Sequence, residues 1–215
     1  PRIAGHRLSF LERDRVAVMV GTGTPVRELR KSHVAVLGLG PIGRAVAEAA
    51  AALGAVVKGL RRHPSGKQVP PFEAVLGRAD LGPLLAWADF VVVALPHTAE
   101  TTGLIGPREF ALMRADAYLV NVARGAIIDE AALADALARS AIAGAALDVF
   151  AAEPLPPESP LWRLPNVIIT PHVAGARPAY LEAALELFMQ NVELFQAGKP
   201  LLNLVDPVLG YPSSA

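Results

Sequence analysis

The chain of 215 residues contains no cysteine, which excludes disulfides and thiolate metal sites. No metal site is expected. An excess of charge of one sign is missing too: 20 Lys plus Arg balance 20 Asp plus Glu. No broad basic field is therefore available to attract nucleic acid or anionic lipid, and any anion site must be local. Long apolar runs are also lacking. Although 53% of the residues are hydrophobic, stretches such as Val91–Pro96 are short, and none approaches the roughly 20 residues of a membrane-spanning helix. Pro1–Phe10 holds two arginines and a histidine but no apolar signal-peptide segment, so a cytoplasmic location is expected.

What the sequence does hold is a rhythm of short apolar runs, suited to strands buried on both faces, alternating with helical patterns. That alternation predicts βαβ units and an α/β fold with a doubly wound parallel sheet. Strands are expected at His33–Leu37, Val56–Leu60, Phe90–Ala94, Tyr118–Asn121, Gly144–Leu147 and Val167–Ile169. Helices are expected at Ile42–Ala52, Leu81–Trp87, Pro107–Met113 and Glu130–Arg139, the last with Asp129 as N-cap. Pro178–Gln196 reads as one long amphipathic helix, with Pro178 in its first turn and Gly198 just past its end. Residues 1–26 read as an arm, 27–176 as the dinucleotide-binding domain suggested by the motif below, and 177–215 as a C-terminal helix and tail. Val16–Thr24 could form a strand leading into a glycine-rich loop, but Pro25 and the charged Arg27–Lys31 stretch follow where an amphipathic helix should begin.

Gly38-Leu39-Gly40-Pro41-Ile42-Gly43 follows the first strand and opens an Ala-rich helix, the context in which GxGxxG indicates dinucleotide binding. The pyrophosphate would sit at the helix N-terminus, where free N–H groups and the dipole favour negative charge. About twenty residues further on, a carboxylate would normally accept the adenosine ribose of NAD. Here the residues are Arg61 and Arg62. Guanidiniums suit a 2′-phosphate, so NADP(H) is the expected cofactor, with NAD(H) as the alternative. The plainer reading is that both arginines are solvated loop charges.

Four further segments carry candidate chemistry: Leu95–Thr101, Val120–Gly125, Ala146–Pro154 and Thr170–His172. Taken singly, Arg124 and Asp148 could be a strand-end salt bridge, and His172 could simply satisfy a backbone group. In this order behind the glycine turn, the segments resemble the D-isomer-specific 2-hydroxyacid dehydrogenase family, over about Arg27 to Pro207 and more faintly at Glu12–Val20. The resemblance implies that Arg124 binds the substrate carboxylate and that His172 is the general acid/base, a role suited to an imidazole whose unperturbed pKa lies near neutrality. It implies that Glu153 orients His172 and that Asp148 bonds the nicotinamide carboxamide. Pro41, Ile42, Leu95, Pro96, Thr101, Val122, Ala123 and His172 are expected to line the cofactor with Gly38, Gly40 and Gly43. His97 reads as a loop residue near the nicotinamide; His6, His33 and His63 carry no catalytic argument, and Trp87 and Trp162 read as packing residues.

The family's complete members begin with a flavodoxin-like substrate domain, whereas this sequence starts near the interdomain helix; Leu201–Tyr211 resembles the family's return strand and tail, which come back to that domain. The expectation is a truncated chain with impaired turnover, or one whose lid another chain supplies. A homodimer through the dinucleotide domain and arm is expected, acting on a small 2-keto or 2-hydroxy acid such as glyoxylate or hydroxypyruvate. The alternative is a non-catalytic dinucleotide-binding sensor of the same fold, like the transcriptional corepressors that resemble these enzymes.

Overall fold

The computed structural model describes residues 28–64, 69–206 and 211, so the arm at 1–26 lies outside the described residues. Among the described residues, seven strands make one sheet in the order β3-β2-β1-β4-β5-β6-β7. They are β1 His33–Leu37, β2 Val56–Leu60, β3 Ala74–Leu76, β4 Phe90–Val93, β5 Tyr118–Asn121, β6 Gly144–Leu147 and β7 Val167–Ile169. Every pairing is parallel, with Val34 opposite Val57 on one side and Phe90 on the other. The strand order reverses direction between β1 and β4, which makes their C-terminal ends the place where such sheets bind ligands.

Side chains alternate across each strand and feed two cores. Val34, Val36, Val57 and Val92 pack against Ala47 and Ala50 of helix α1, Pro41–Ala52. The small residues Gly43, Ala47 and Ala50 form its buried face and let the helix axis approach the sheet closely. On the other side, Ala35, Leu37, Val91, Val93 and Leu119 meet Leu84, Leu85, Phe110, Leu133 and Leu137. Those come from α2, Leu81–Trp87, α3, Pro107–Leu112, and α4, Glu130–Ala138. Each fully buried leucine contributes about 1.5–3 kcal/mol of transfer free energy. Trp87 stacks on His33 at 4.4 Å, and Trp162 is half-buried against the larger core, so both indoles pack.

Asp129 caps α4 by accepting from the Ala132 amide at 3.0 Å, as its local sequence predicts. Asp129→Ala is expected to cost about 1 kcal/mol; a denaturation midpoint indistinguishable from the parent's would mean that the cap contributes nothing.

Three expectations need correction. β3 was not anticipated; it is a three-residue edge strand paired only with β2. The long C-terminal helix, α5, is Tyr180–Gln196, because Ala179 takes a left-handed conformation (φ 58) that no helix can continue through. Pro178 therefore stands ahead of the helix, not in its first turn. The other end follows the sequence: Gly198 (φ 63) donates to the Phe195 carbonyl and Lys199 to that of Leu194, closing the last turn. Residues 201–206 form a turn with one bridged residue, Val205, where the resemblance suggested a return strand. Instead, Leu202 docks on α5 through both atoms of the Asn191 amide. Strand β4 and helices α3 and α4 each stop one residue earlier than expected, within the usual fraying of ends.

Candidate active site

The candidate catalytic and cofactor-binding residues lie on segments that follow the C-terminal ends of β1, β2, β4, β5, β6 and β7, on one rim of the sheet. The glycine turn joins β1 to α1. Gly38 has φ 101, and a Cβ there would stand 2.6 Å from the Ala94 carbonyl oxygen, so the turn is pressed against the end of β4. A Cβ on Gly43 would meet the Gly38 oxygen at 1.9 Å, whereas one on Gly40 would meet nothing within 4 Å. Gly40 therefore fronts open space, where its bare backbone leaves room for a ligand. The N-terminus of α1 has no side-chain cap and no acidic residue in its first turn. Its first intrahelical bond runs from Arg44 to Gly40, leaving the Ile42 and Gly43 amides ahead of it. Open space and uncapped donors together fit a pyrophosphate.

Farther along the same rim, the imidazole Nδ1 of His172 lies 2.7 Å from Glu153 Oε2, and the Phe150 amide donates to the other carboxylate oxygen at 3.0 Å. The His172 bond, the Phe150 amide and the neighbouring Arg124 guanidinium hold the Glu153 carboxyl below its ordinary value, outweighing a smaller desolvation effect. Arg124, which ends the loop after β5, is exposed and donates from Nη1 to the Ala123 carbonyl at 2.7 Å. A Cβ on Gly125 would meet the Phe150 carbonyl carbon at 1.9 Å, so the glycine lets the Arg124 turn lie directly on the loop that carries Glu153. The carboxylate and the imidazole thus meet on this rim, with the Arg124 guanidinium near enough to act electrostatically on Glu153.

Asp148 holds this arrangement in place from below. It is 4% exposed; burial alone would raise its pKa, yet the Thr170 hydroxyl, the Ala174 and Val173 amides and nearby His172 together lower it. Its carboxylate accepts from Val173 at 2.9 Å, from Ala174 at 2.8 Å and from the Thr170 hydroxyl. Those bonds anchor the segment in which His172 takes a left-handed backbone (φ 53), while the His172 amide donates to the Asp148 carbonyl at 2.9 Å. A conformation of that kind in a residue other than glycine persists only where its surroundings over-determine it. Arg124 and Asp148 form no salt bridge, which removes the plainer reading of that pair.

Three positioning residues escaped sequence reasoning. Asn121, 1% exposed, donates to the Arg124 carbonyl and accepts from the Ala123 amide, fixing the Val122–Arg124 turn. Thr170 supplies a hydroxyl to Asp148, and Glu130 accepts from the Ala151 amide at 3.0 Å. Tertiary structure alone brings donor to acceptor for Thr170 and Glu130, whereas Asn121 acts within three residues of itself, so its place in the Val120–Gly125 segment was the local signal that could have flagged it. Leu95 and Pro96 begin the loop after β4, where the Thr101 hydroxyl donates to the Pro96 carbonyl at 2.8 Å. His97 Nε2 pairs with the Thr102 hydroxyl at 2.9 Å, as a loop residue would. Arg61 continues the β2–β3 ladder by donating to the Leu76 carbonyl, and Arg62 is tied to Glu100 at 2.6 Å.

The strand order, the reversal between β1 and β4 and the glycine turn at that point define the class, a doubly wound α/β nucleotide-binding domain. The chain belongs to the D-isomer specific 2-hydroxyacid dehydrogenase family, whose NAD-binding-domain model matches residues 11–174. It is 36% identical over 181 residues to a glyoxylate/hydroxypyruvate reductase A of Yersinia enterocolitica, covering 84% of this chain and 56% of that protein. It therefore spans little more than half the length of that relative. A D-isomer specific 2-hydroxyacid dehydrogenase of Xanthobacter autotrophicus Py2, solved with NADPH and MES, superposes with a TM-score of 0.83 at 40% identity, over 92% of this chain and 81% of that one. An NADPH-dependent glyoxylate/hydroxypyruvate reductase of Sinorhizobium meliloti, solved with NADP and sulfate, gives 0.79 at 31% identity, over 97% and 68%.

Because Glu153 is held low in the folded chain, its contact with His172 is fully present above the ordinary glutamate range and is lost as pH falls through the lowered value. NMR titration of the Glu153 carboxyl is expected to show this depression and its partial reversal in His172→Asn. A Glu153 that titrates at or above the ordinary range would contradict the contact.

Proposed function

We propose that this chain carries the cofactor-binding and proton-transfer machinery for NADPH-dependent reduction of a small 2-keto acid, such as glyoxylate or hydroxypyruvate, to the D-2-hydroxy acid. The observation that carries the proposal is the contact between His172 and Glu153, with Arg124 beside it, on the rim that holds the glycine turn. Gly38, Gly40, Pro41, Ile42 and Gly43 hold the pyrophosphate, and Arg61 and Arg62 take the 2′-phosphate. Leu95, Pro96, Thr101, Val122, Ala123 and Asp148 line the remainder, with NAD(H) as a weaker alternative ligand. When bound, the dinucleotide supplies the hydride that reduces the carbonyl carbon.

The protein's own groups do the rest. Arg124 pairs with the substrate carboxylate and orients the carbonyl. An ionised carboxylate only accepts hydrogen bonds, so the Nδ1 facing Glu153 carries a proton in either charge state of His172. Nε2 is therefore the atom that gives its proton to the developing alkoxide in reduction and takes it back in oxidation. Thr170 and Asp148 keep the imidazole in place through the backbone of the 170–174 segment.

The test is NADPH oxidation followed with a panel of 2-keto acids. Turnover of at least one of them supports the reductase, whereas tight NADPH binding with no turnover would make the chain a sensor. We keep residues 27–176 as the dinucleotide domain, with 1–26 as an arm and 177–215 as a helix and tail. No helix of the described residues is long and apolar enough to cross a membrane. We place the protein in the cytoplasm as a homodimer; recovery in a membrane pellet, or light scattering that finds only monomer at micromolar concentration, would contradict these two points.

A further inference from the structure

The loop after β4 is a compact turn built from threonines. Thr101 and Thr102 donate their amides to the Thr98 carbonyl, the Thr98 amide donates to the Thr101 hydroxyl at 2.8 Å, and the Thr102 hydroxyl returns to the Thr98 carbonyl at 2.8 Å. These bonds present Glu100 at the tip. There its carboxylate accepts from Arg62 Nη2 at 2.6 Å, and its backbone carbonyl accepts from Arg78 Nη1 at 2.8 Å. Arg62 follows β2 and Arg78 follows β3, and a Cβ on the intervening Gly77 would lie 3.4 Å from Pro64, so the two loops touch. One glutamate thus gathers two guanidiniums from separate loops, with Arg61 adjacent in the chain. The side chains of Arg62 and Glu100 remain half-exposed, at 50% and 54%.

We propose that Glu100 sets cofactor specificity as a resident anion: it holds Arg62 until a 2′-phosphate takes its place, and Arg78, drawn to the same spot, becomes a further ligand of that phosphate. This rests on reading Arg61 and Arg62 as the 2′-phosphate site. An exposed ion pair shifts an equilibrium by no more than about fivefold, so it is readily exchanged. A phosphate monoester brings roughly twice the charge of a carboxylate and an additional acceptor oxygen, and it matches the guanidinium fork. A ribose 2′-hydroxyl is neutral and has nothing to displace the carboxylate with. Glu100 therefore costs NADPH some affinity while leaving NADH nearly untouched, and it keeps the arginines gathered when no cofactor is present.

The experiment is equilibrium titration of the chain with NADPH, NADH and 2′,5′-ADP, the last reporting the phosphate site alone. Glu100→Gln is expected to tighten NADPH and 2′,5′-ADP by about twofold to fivefold and to leave NADH unchanged. Arg78→Gln is expected to weaken the two phosphate-bearing ligands by about tenfold, also without effect on NADH. If the parent shows no preference for NADPH, or if Arg62→Gln leaves the preference intact, the reading of the arginines fails and this proposal fails with it. If the preference exists and Arg62→Gln erases it, yet Glu100→Gln leaves NADPH unchanged or weakens it, only the resident-anion proposal is overturned. An Arg78→Gln variant that binds NADPH like the parent removes Arg78 from the site.

Discussion

Replacing His172 by Asn is expected to lower kcat for keto-acid reduction by about 10²–10⁴, the usual loss when a positioned acid/base is removed, while NADPH binding persists. The variant keeps a polar side chain of similar reach, so the 170–174 segment stays anchored by Asp148 through backbone amides that the substitution does not touch. Proton supply to the alkoxide is what disappears. Stopped-flow NADPH oxidation under single-turnover conditions separates that step from product release. A loss smaller than about tenfold would mean that another group or bulk water delivers the proton, and the assignment of Nε2 would fall. Glu153→Gln provides a second check, because it removes the charge that Nδ1 faces at 2.7 Å while preserving shape. Its effect on kcat should lie in the same direction as that of His172→Asn, and the double variant should lose less than the product of the two separate losses, as coupled residues do.

An interaction is legible in the sequence to the extent that it is local. Asp129 at the head of α4 and Gly198 behind α5 act within one turn of chain, and their residue types declare the cap and the stop. Of the six anticipated strands, all but β7, where Ile168 is exposed, are buried or half-buried on both faces, and the two-core packing follows from that burial. β3 hid because Ala74–Leu76 is too short to display a period and lies half-buried at an edge, just after Pro70 and Pro71. Pro178 misled because its suitability for a first turn says nothing about the left-handed residue that follows it. At the candidate site, Arg124, Glu153 and His172 were picked out through the order and spacing of their segments and the family resemblance, and the contact between Glu153 and His172 is what the fold adds. The Thr170 hydroxyl and the Arg62–Glu100 pair are long-range arrangements of polar groups, whereas the buried amide of Asn121 closes a turn within three residues of itself. Burial explains why Asn121 and Asp148 are so fully bonded: an unpaired polar group there would cost several kcal/mol, so each is satisfied by whatever the fold brings near.

Arg124→Gln is the other large effect, expected to reduce kcat/KM for the keto acid by about 10²–10³, with most of the loss in KM. A guanidinium gripping a carboxylate through two parallel charge-assisted bonds gains about 1.5–3 kcal/mol from each; exposure of Arg124 to water places the sum toward the lower end. Only Nη1 is engaged, by the Ala123 carbonyl, and the remaining N–H groups have no hydrogen-bond partner among the described residues, so the fork is available to a ligand. Arg124→Lys should recover only part of the loss, because an ammonium keeps the charge without the planar fork. Acetate or oxamate as competitive inhibitors should lose affinity in parallel with KM, since they present the same carboxylate. NADPH affinity should move little, as the guanidinium is assigned to the substrate. Near-parental KM in Arg124→Gln would place the substrate carboxylate elsewhere, and Arg124 would then serve mainly as the positive neighbour that helps hold Glu153 ionised.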